Sequence, residues 1–194
     1  GAGLCDILSP EENRIILQTL LPEAVLSLYG ASGPEETLKS AHEKASCVVV
    51  GPGLGQGDTA KRIVKYIFEN ARVPIICDAD ALNIISEHTE LRGKLNENHV
   101  LTPHPGEMAR LLGRACGDPV EDARMLAKEC GCVVLLKGCA TCISDGERAY
   151  MMNPGTPGMA CGGSGDVLTG VIGALLAQGM EPVKAAVYGA MLHG

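Results

Sequence analysis

Five short runs in this chain are apolar at nearly every position, and the stretches between them carry apolar residues at helical spacing instead. The runs are Ala24 to Leu28, Cys47 to Val50, Ile75 to Cys77, Val100 to Leu101 and Val133 to Leu136. A strand that is apolar on both sides has to be covered on both sides, which is the situation of a parallel sheet with helical crossovers. From Thr59 to Ala71 the side chains of Ile63, Val64, Ile67 and Phe68 fall on one helical face. Val167, Leu168, Val171, Ile172, Leu175 and Leu176 repeat that spacing later. The pattern predicts a layered α/β fold with a central, mostly parallel sheet flanked by helices. Ala140 to Ile143 and Arg148 to Met152, joined around Ser144-Asp145-Gly146, read as an antiparallel hairpin. Ser9-Pro10-Glu11-Glu12 has the cap, first-turn proline and third-position glutamate of a helix start, predicting a helix to about Leu20.

With 194 residues and 46% hydrophobic content, the chain suits one domain spanning residues 1–194, and no repeat or linker divides it. Its 16 basic and 23 acidic residues give a net charge of −7 without a basic run, which argues against nucleic acid as a partner. No apolar stretch is long enough for a membrane span and the N-terminus lacks signal-peptide order, so the expectation is a soluble cytoplasmic protein without a membrane partner. Nine cysteines cannot all pair, and they read as reduced thiols. Cys130, Cys132, Cys139 and Cys142 resemble two spaced zinc-ligand pairs. Cys132, however, opens the strand-like run CVVLLK, which favours a small buried thiol. The chain starts Gly1-Ala2-Gly3-Leu4 without methionine and stops at His193-Gly194 straight after an apolar helical pattern, so a fragment lacking both terminal segments is expected.

The most informative stretch is Asn153 to Gly170, NPGTPGMACGGSGDVLTG, in which small residues run directly into an amphipathic helix. Gly162, Gly163, Ser164 and Gly165 let backbone N–H groups wrap an anion at that helix's positive end, and phosphate is the natural occupant. Asp166 follows in the first turn. It either caps the helix or, beside a phosphate-holding loop, takes a proton from a substrate hydroxyl, and the context favours the second role. Gly51-Pro52-Gly53-Leu54-Gly55-Gln56-Gly57-Asp58 sits between a strand and a helix, with glycines at every second position. That spacing is not that of a dinucleotide fingerprint, and alone it reads as a tight turn. Asp78 and Asp80 in DADALN lie at a strand's C-terminal end, where they either meet ligand or cap the next helix. His104 is held between two prolines after a strand: a lone histidine is commonly structural, and this rigid placement beside other candidate loops favours a ligand contact. Lys137-Gly138 at the end of VVLLK, followed by Cys139, Ala140 and Thr141, suits a nucleotide's phosphate or base edge, against the plain alternative of a surface lysine.

Together, GPGLG, DADALN, TPHPGE, LLKG and NPGTPGMACGGSGDVLTG in this order resemble the NAD(P)H-hydrate dehydratase family of the ribokinase-like superfamily, over essentially the whole chain. The resemblance implies a ribokinase-like three-layer sandwich. It also implies nucleotide-driven dehydration of (S)-NADHX or (S)-NADPHX, nicotinamide cofactors hydrated on the ring, by phosphorylation of the ring hydroxyl and loss of phosphate. Asp166 matches the family's base. Gly55, His104 and Asp166 match contacts to the hydrated dinucleotide. Lys137 to Thr141 and the loop through Gly165 match the site for ADP or ATP, which magnesium would accompany. Cys161 and Cys139 stand where the family has other small residues, which raises the question of thiol sensitivity. In the family a further N-terminal segment supplies a sheet strand and part of the dinucleotide pocket.

Two other readings stay open: a ribokinase-like kinase of a small alcohol or vitamin precursor, using the same loop and aspartate, and a non-catalytic nucleotide-binding fragment. The sequence also leaves open the choice of ATP or ADP, assembly into a homo-oligomer and fusion to an epimerase domain.

Overall fold

The computed structural model of the protein describes residues 3–152 and 161–194. Strand β1 (Asp6–Pro10) passes through a single 3-10 turn (Glu11–Asn13) into helix α1 (Arg14–Leu20), and β2 (Val25–Tyr29) leads to α2 (Glu35–His42). Next come β3 (Val48–Val50), α3 (Asp58–Asn70), β4 (Ile75–Cys77), α4 (Ala79–Glu87), α5 (Thr89–Arg92) and β5 (Val100–Leu101). The chain continues with α6 (Pro105–Leu112), α7 (Pro119–Cys130), β6 (Val133–Leu136) and the hairpin β7 (Thr141–Ser144) and β8 (Ala149–Met152). It closes with α8 (Ser164–Ala177) and α9 (Pro182–His193).

β3 to β8 form one six-stranded sheet in sequential order, parallel from β3 to β6 and antiparallel thereafter. β1 and β2 pair in parallel as a separate two-stranded sheet. Alternation along the strands explains why they are apolar throughout. Ile75, Cys77, Val134 and Leu136 face a core shared with α2 to α7, while Ile76, Val133 and Leu135 face a second core shared with α8 and α9. The expected three layers result. On α3 the stripe Ile63, Val64, Ile67 and Phe68 is buried as its spacing predicts.

Two local expectations are corrected. Ser9 and Pro10 do not start a helix: both belong to β1, and the Ser9 hydroxyl instead accepts a hydrogen bond from Asn13 Nδ2 (3.0 Å). Parallel pairing with β2 holds these two in the strand, so the helical stretch starts one residue later than expected, in the 3-10 turn at Glu11, and reaches Leu20 as expected. On α8, Leu168, Ile172 and Leu176 are buried, but Val167 is 60% exposed, because the helix meets the sheet along a narrower stripe than the pattern implied. The four spaced cysteines divide between environments: Cys130, Cys132 and Cys142 are buried thiols of the α2 to α7 core, whereas Cys139 is exposed.

Candidate active site

The sheet register brings the C-terminal ends of the parallel strands side by side: Val50 pairs with Cys77, Cys77 with Leu101 and Leu101 with Val134. Four of the candidate segments begin where one of these strands ends, and the glycine-rich run to α8 follows the antiparallel β8. Gly51 leaves β3 at φ +124°, and a Cβ on it would lie 1.7 Å from the carbonyl oxygen of Asp78. Only glycine allows that approach. The loop is also tied to the first turn of α4, where Asp80 accepts hydrogen bonds from Gly55 N (2.8 Å) and Gln56 Nε2 (3.0 Å). Gly55 itself sits at φ +76° and is exposed.

Asp78 is only 1% exposed and is the centre of the site. Its Oδ1 accepts from Lys137 Nζ (2.6 Å) and from Ala79 N (2.8 Å), the latter bond capping α4. Its Oδ2 accepts from Thr169 Oγ1 (2.7 Å), whose single proton is shared with the Gly165 carbonyl oxygen at 2.9 Å. Of the two roles weighed for DADALN from sequence, the structure shows the cap: Asp78 caps α4, and its carboxylate in addition binds a lysine from the end of another strand. A buried carboxylate needs such partners, and removing one side of a buried pair typically costs about 3–5 kcal/mol. Lys137 is thus not a surface lysine; its side chain is 21% exposed. Its Nζ lies 3.3 Å from where a Cβ on Gly165 would stand, against the first turn of α8. Ala79, beside Asp78, has φ +48°, and is the one non-glycine residue with positive φ among those described. Such strain persists only where neighbouring contacts hold it, here at the site itself.

The N-terminus of α8 opens at Gly163, with φ +86° and no side-chain cap. N–H groups that no described side chain caps, the helix dipole and the Lys137 ammonium together create a positive end suited to phosphate, with Ser164 N also donating to Cys161 O (3.3 Å). Asp166 is exposed in this first turn, and Ser164 Oγ lies 3.2 Å from His193 Nε2 at the end of α9. Gly162 is exposed beside them. The preceding residues 153–160 of the glycine-rich run lie outside the described residues.

His104 has a local role that its sequence context did not reveal. It is the N-cap of α6: Nδ1 accepts from Gly106 N (2.9 Å), and the Glu107 carboxylate accepts from His104 N (2.8 Å). An accepting Nδ1 puts the ring proton on Nε2, which lies 3.4 Å from Glu107 Oε1. The side chain remains 51% exposed at the same edge as Lys137, whose N–H donates to Pro103 O (2.8 Å). Gly138, Cys139 and Ala140 form the turn from β6 to β7, and Thr141 opens β7. No side-chain hydrogen bond joins these four to the other candidate residues among those described. Sequence reasoning missed Thr169 and His193. A buried threonine one turn after a glycine-rich helix start was a usable signal for the first. For the second there was none, since only the packing of α9 on α8 brings it to Ser164.

A parallel sheet whose C-terminal edge joins a phosphate-suited helix end, a buried Asp-Lys pair and an exposed aspartate suits the ribokinase-like class. The fold agrees, with a TM-score of 0.83 and 29% identity to a ribokinase-like superfamily protein from Enterococcus faecalis, covering 100% of this chain and 68% of that one. Within the class, the chain belongs to the NAD(P)H-hydrate dehydratase family, whose model it matches over residues 1–194. It is 41% identical over 199 residues to the bifunctional NAD(P)H-hydrate repair enzyme of Escherichia coli, spanning 100% of this chain but 37% of that relative. The ADP/ATP-dependent NAD(P)H-hydrate dehydratase of Bacillus subtilis, co-crystallised with ATP and Mg2+, superposes with a TM-score of 0.78 at 27% identity, covering 100% of this chain and 69% of that one. Among the described residues no helix is long and apolar enough to cross a membrane.

Proposed function

We propose that this chain is the dehydratase part of a cytoplasmic repair enzyme that converts (S)-NADHX and (S)-NADPHX to NADH and NADPH at the expense of ADP or ATP. The observation that carries the proposal is the first turn of α8, where the Lys137 ammonium meets a helix N-terminus with no side-chain cap and Asp166 stands exposed beside it. In this reading the N–H groups of Gly162 to Gly165 and the ammonium receive the terminal phosphoryl group. Asp166 takes the proton of the ring hydroxyl as its oxygen attacks phosphorus and the nucleotide departs. Phosphate then leaves the ring carbon, and loss of a proton from the neighbouring carbon restores the ring double bond. Gly55 and His104 contact the hydrated dinucleotide, and Lys137 to Thr141 hold the adenine nucleotide.

Magnesium fits this site as an ion carried mainly by phosphates. No group of three or more metal-binding side chains gathers among the described residues. Asp78 and Asp80 already accept from N–H, ammonium and hydroxyl donors, while Asp166 stands exposed near the phosphate end. The ion would neutralise phosphate charge there.

The test mixes purified protein with NADHX, magnesium and either ATP or ADP and follows NADH absorbance. Nucleotide-dependent recovery of NADH supports the proposal and identifies the donor. Phosphorylation of a small alcohol without NADH release would establish a kinase instead, and ADP binding without turnover would leave a nucleotide-binding module.

A further inference from the structure

We infer that Asp78 is a positioning residue for phosphate handling, acting through Lys137. It holds the lysine ammonium against the first turn of α8, so that what Lys137 contributes to nucleotide binding and turnover depends on Asp78. The inference rests on the reading of that helix end as the phosphate site.

Asp78 cannot serve substrate directly, being 1% exposed with both carboxylate oxygens engaged. Helix capping alone does not explain its surroundings. The cap needs only the bond from Ala79 N, yet a lysine from β6 and a threonine from α8 converge on the same carboxylate from two other elements. Lysine has a long flexible stem and a point charge, and unguided it would sample many rotamers in front of the helix. The 2.6 Å bond to Oδ1 occupies one of its three donors and fixes the nitrogen beside Gly165, where a Cβ would already be within 3.3 Å. Thr169 then ties the carboxylate to α8 itself, through Oδ2 at 2.7 Å. Carboxylate, ammonium and helix end thus form one rigid unit, with the remaining ammonium donors free of Asp78. Pre-set charge of this kind acts without reorganisation when phosphate arrives.

A double-mutant cycle on the intact protein tests this, read both as NADHX turnover and as ADP affinity by calorimetry, with thermal melting alongside. Lys137→Met and Asp78→Asn should each lower turnover by about 10- to 100-fold, the usual loss on removing a charged hydrogen bond, and the double variant should be no worse than Lys137→Met. Thr169→Val keeps the volume and removes the hydroxyl. It should lower turnover about threefold in the wild-type background and not at all beside Lys137→Met. This arm decides the matter if Asp78→Asn fails to fold. Losses that multiply in the double variants would overturn the inference, as would a folded Asp78→Asn protein with wild-type turnover and affinity. If the wild type itself turns over no NADHX, the proposed activity fails. The same cycle in ADP affinity still judges Asp78: non-additive losses uphold the inference, and multiplying losses reject it.

Discussion

Gly51 offers a quantitative test of how the site edge is built. Replacing it by alanine forces a Cβ to within 1.7 Å of Asp78 O and 3.0 Å of Ala81 Cβ, at φ +124°. Neither neighbour is a flexible side-chain tip: one is backbone at the end of β4 and the other is fully buried. Backbone strain of about 1–3 kcal/mol and overpacking of about 1–3 kcal/mol combine to a loss centred near ~4 kcal/mol. In a domain of this length that lowers Tm by about 8–16 °C. Two glycines in the same loop calibrate the measurement. Gly55 has φ +76° with nothing within 4 Å, so Gly55→Ala bears only the left-handed strain of about 1–2 kcal/mol. Gly57 is the extended N-cap of α3 at φ −72°, where Gly57→Ser adds a capping hydroxyl worth a few tenths of a kcal/mol. Thermal melting by circular dichroism should rank them Gly51→Ala, Gly55→Ala, Gly57→Ser from most to least destabilised. A Gly51→Ala protein that melts within about 2 °C of wild type, or above Gly55→Ala, would refute the close-approach argument.

Asp166→Asn should keep ADP affinity while turnover falls by about two orders of magnitude, the loss expected for a general base; near-normal turnover would remove Asp166 from that role. His99 is 4% exposed and its Nδ1 accepts from Ile75 N (3.2 Å), so protonation would set two N–H groups against each other. Burial holds its pKa below 6.5. The unfolded chain then binds more protons below that value, and this contribution to stability is complete above pH 6.5 and is lost as pH falls through the folded value. Urea unfolding at pH of about 7.5 and about 5.5 should show that loss, and His99→Gln should reduce the difference. Under a small alkylating reagent the exposed Cys5, Cys139 and Cys161 should react first and the buried Cys77, Cys130, Cys132 and Cys142 only on unfolding. Burial also pushes the Cys47 thiol up to about 12, keeping it protonated and slow. ADP should protect Cys139 and Cys161 but not Cys5, as peptide mapping would reveal.

The strands were legible because a parallel sheet buried on both faces leaves no polar positions, and Ile75–Cys77, Val100–Leu101 and Val133–Leu136 fall where their apolar runs lie. β1 was not, since Ser9 and Pro10 head a helix-start signal that is met only from Glu11 onward, and pairing with β2, fifteen or more residues away, makes those two residues strand. At the site, glycine clustering ahead of an amphipathic helix marked the α8 end, and strand ends marked Asp78, His104 and Lys137. What sequence could not supply was the bond between Asp78 and Lys137, 59 residues apart, or that to Thr169, 91 residues apart. Such contacts depend on strand order and layer packing, which leave no local trace. His104 carried one role more than its context told: a histidine ahead of Pro105 looks like a presented ligand, and its ring also does the work of a serine cap.

The two-sided core also has a history in time. Among the described residues, every strand and all the helices of one layer lie before residue 153, whereas the other side of the sheet is covered by α8 and α9. On a ribosome adding about 5–20 residues per second, the stretch from 153 to 193 takes roughly 2–8 seconds to emerge. Through that interval Ile76, Val100, Val133, Leu135 and Ile143 form a bare greasy wall on the nascent chain. The carboxylate of Asp78 meanwhile waits without the hydroxyl of Thr169. Newborn chains are therefore most open to aggregation or to chaperone capture just before the phosphate end is made, and α8 and α9 seal the core and complete the site together.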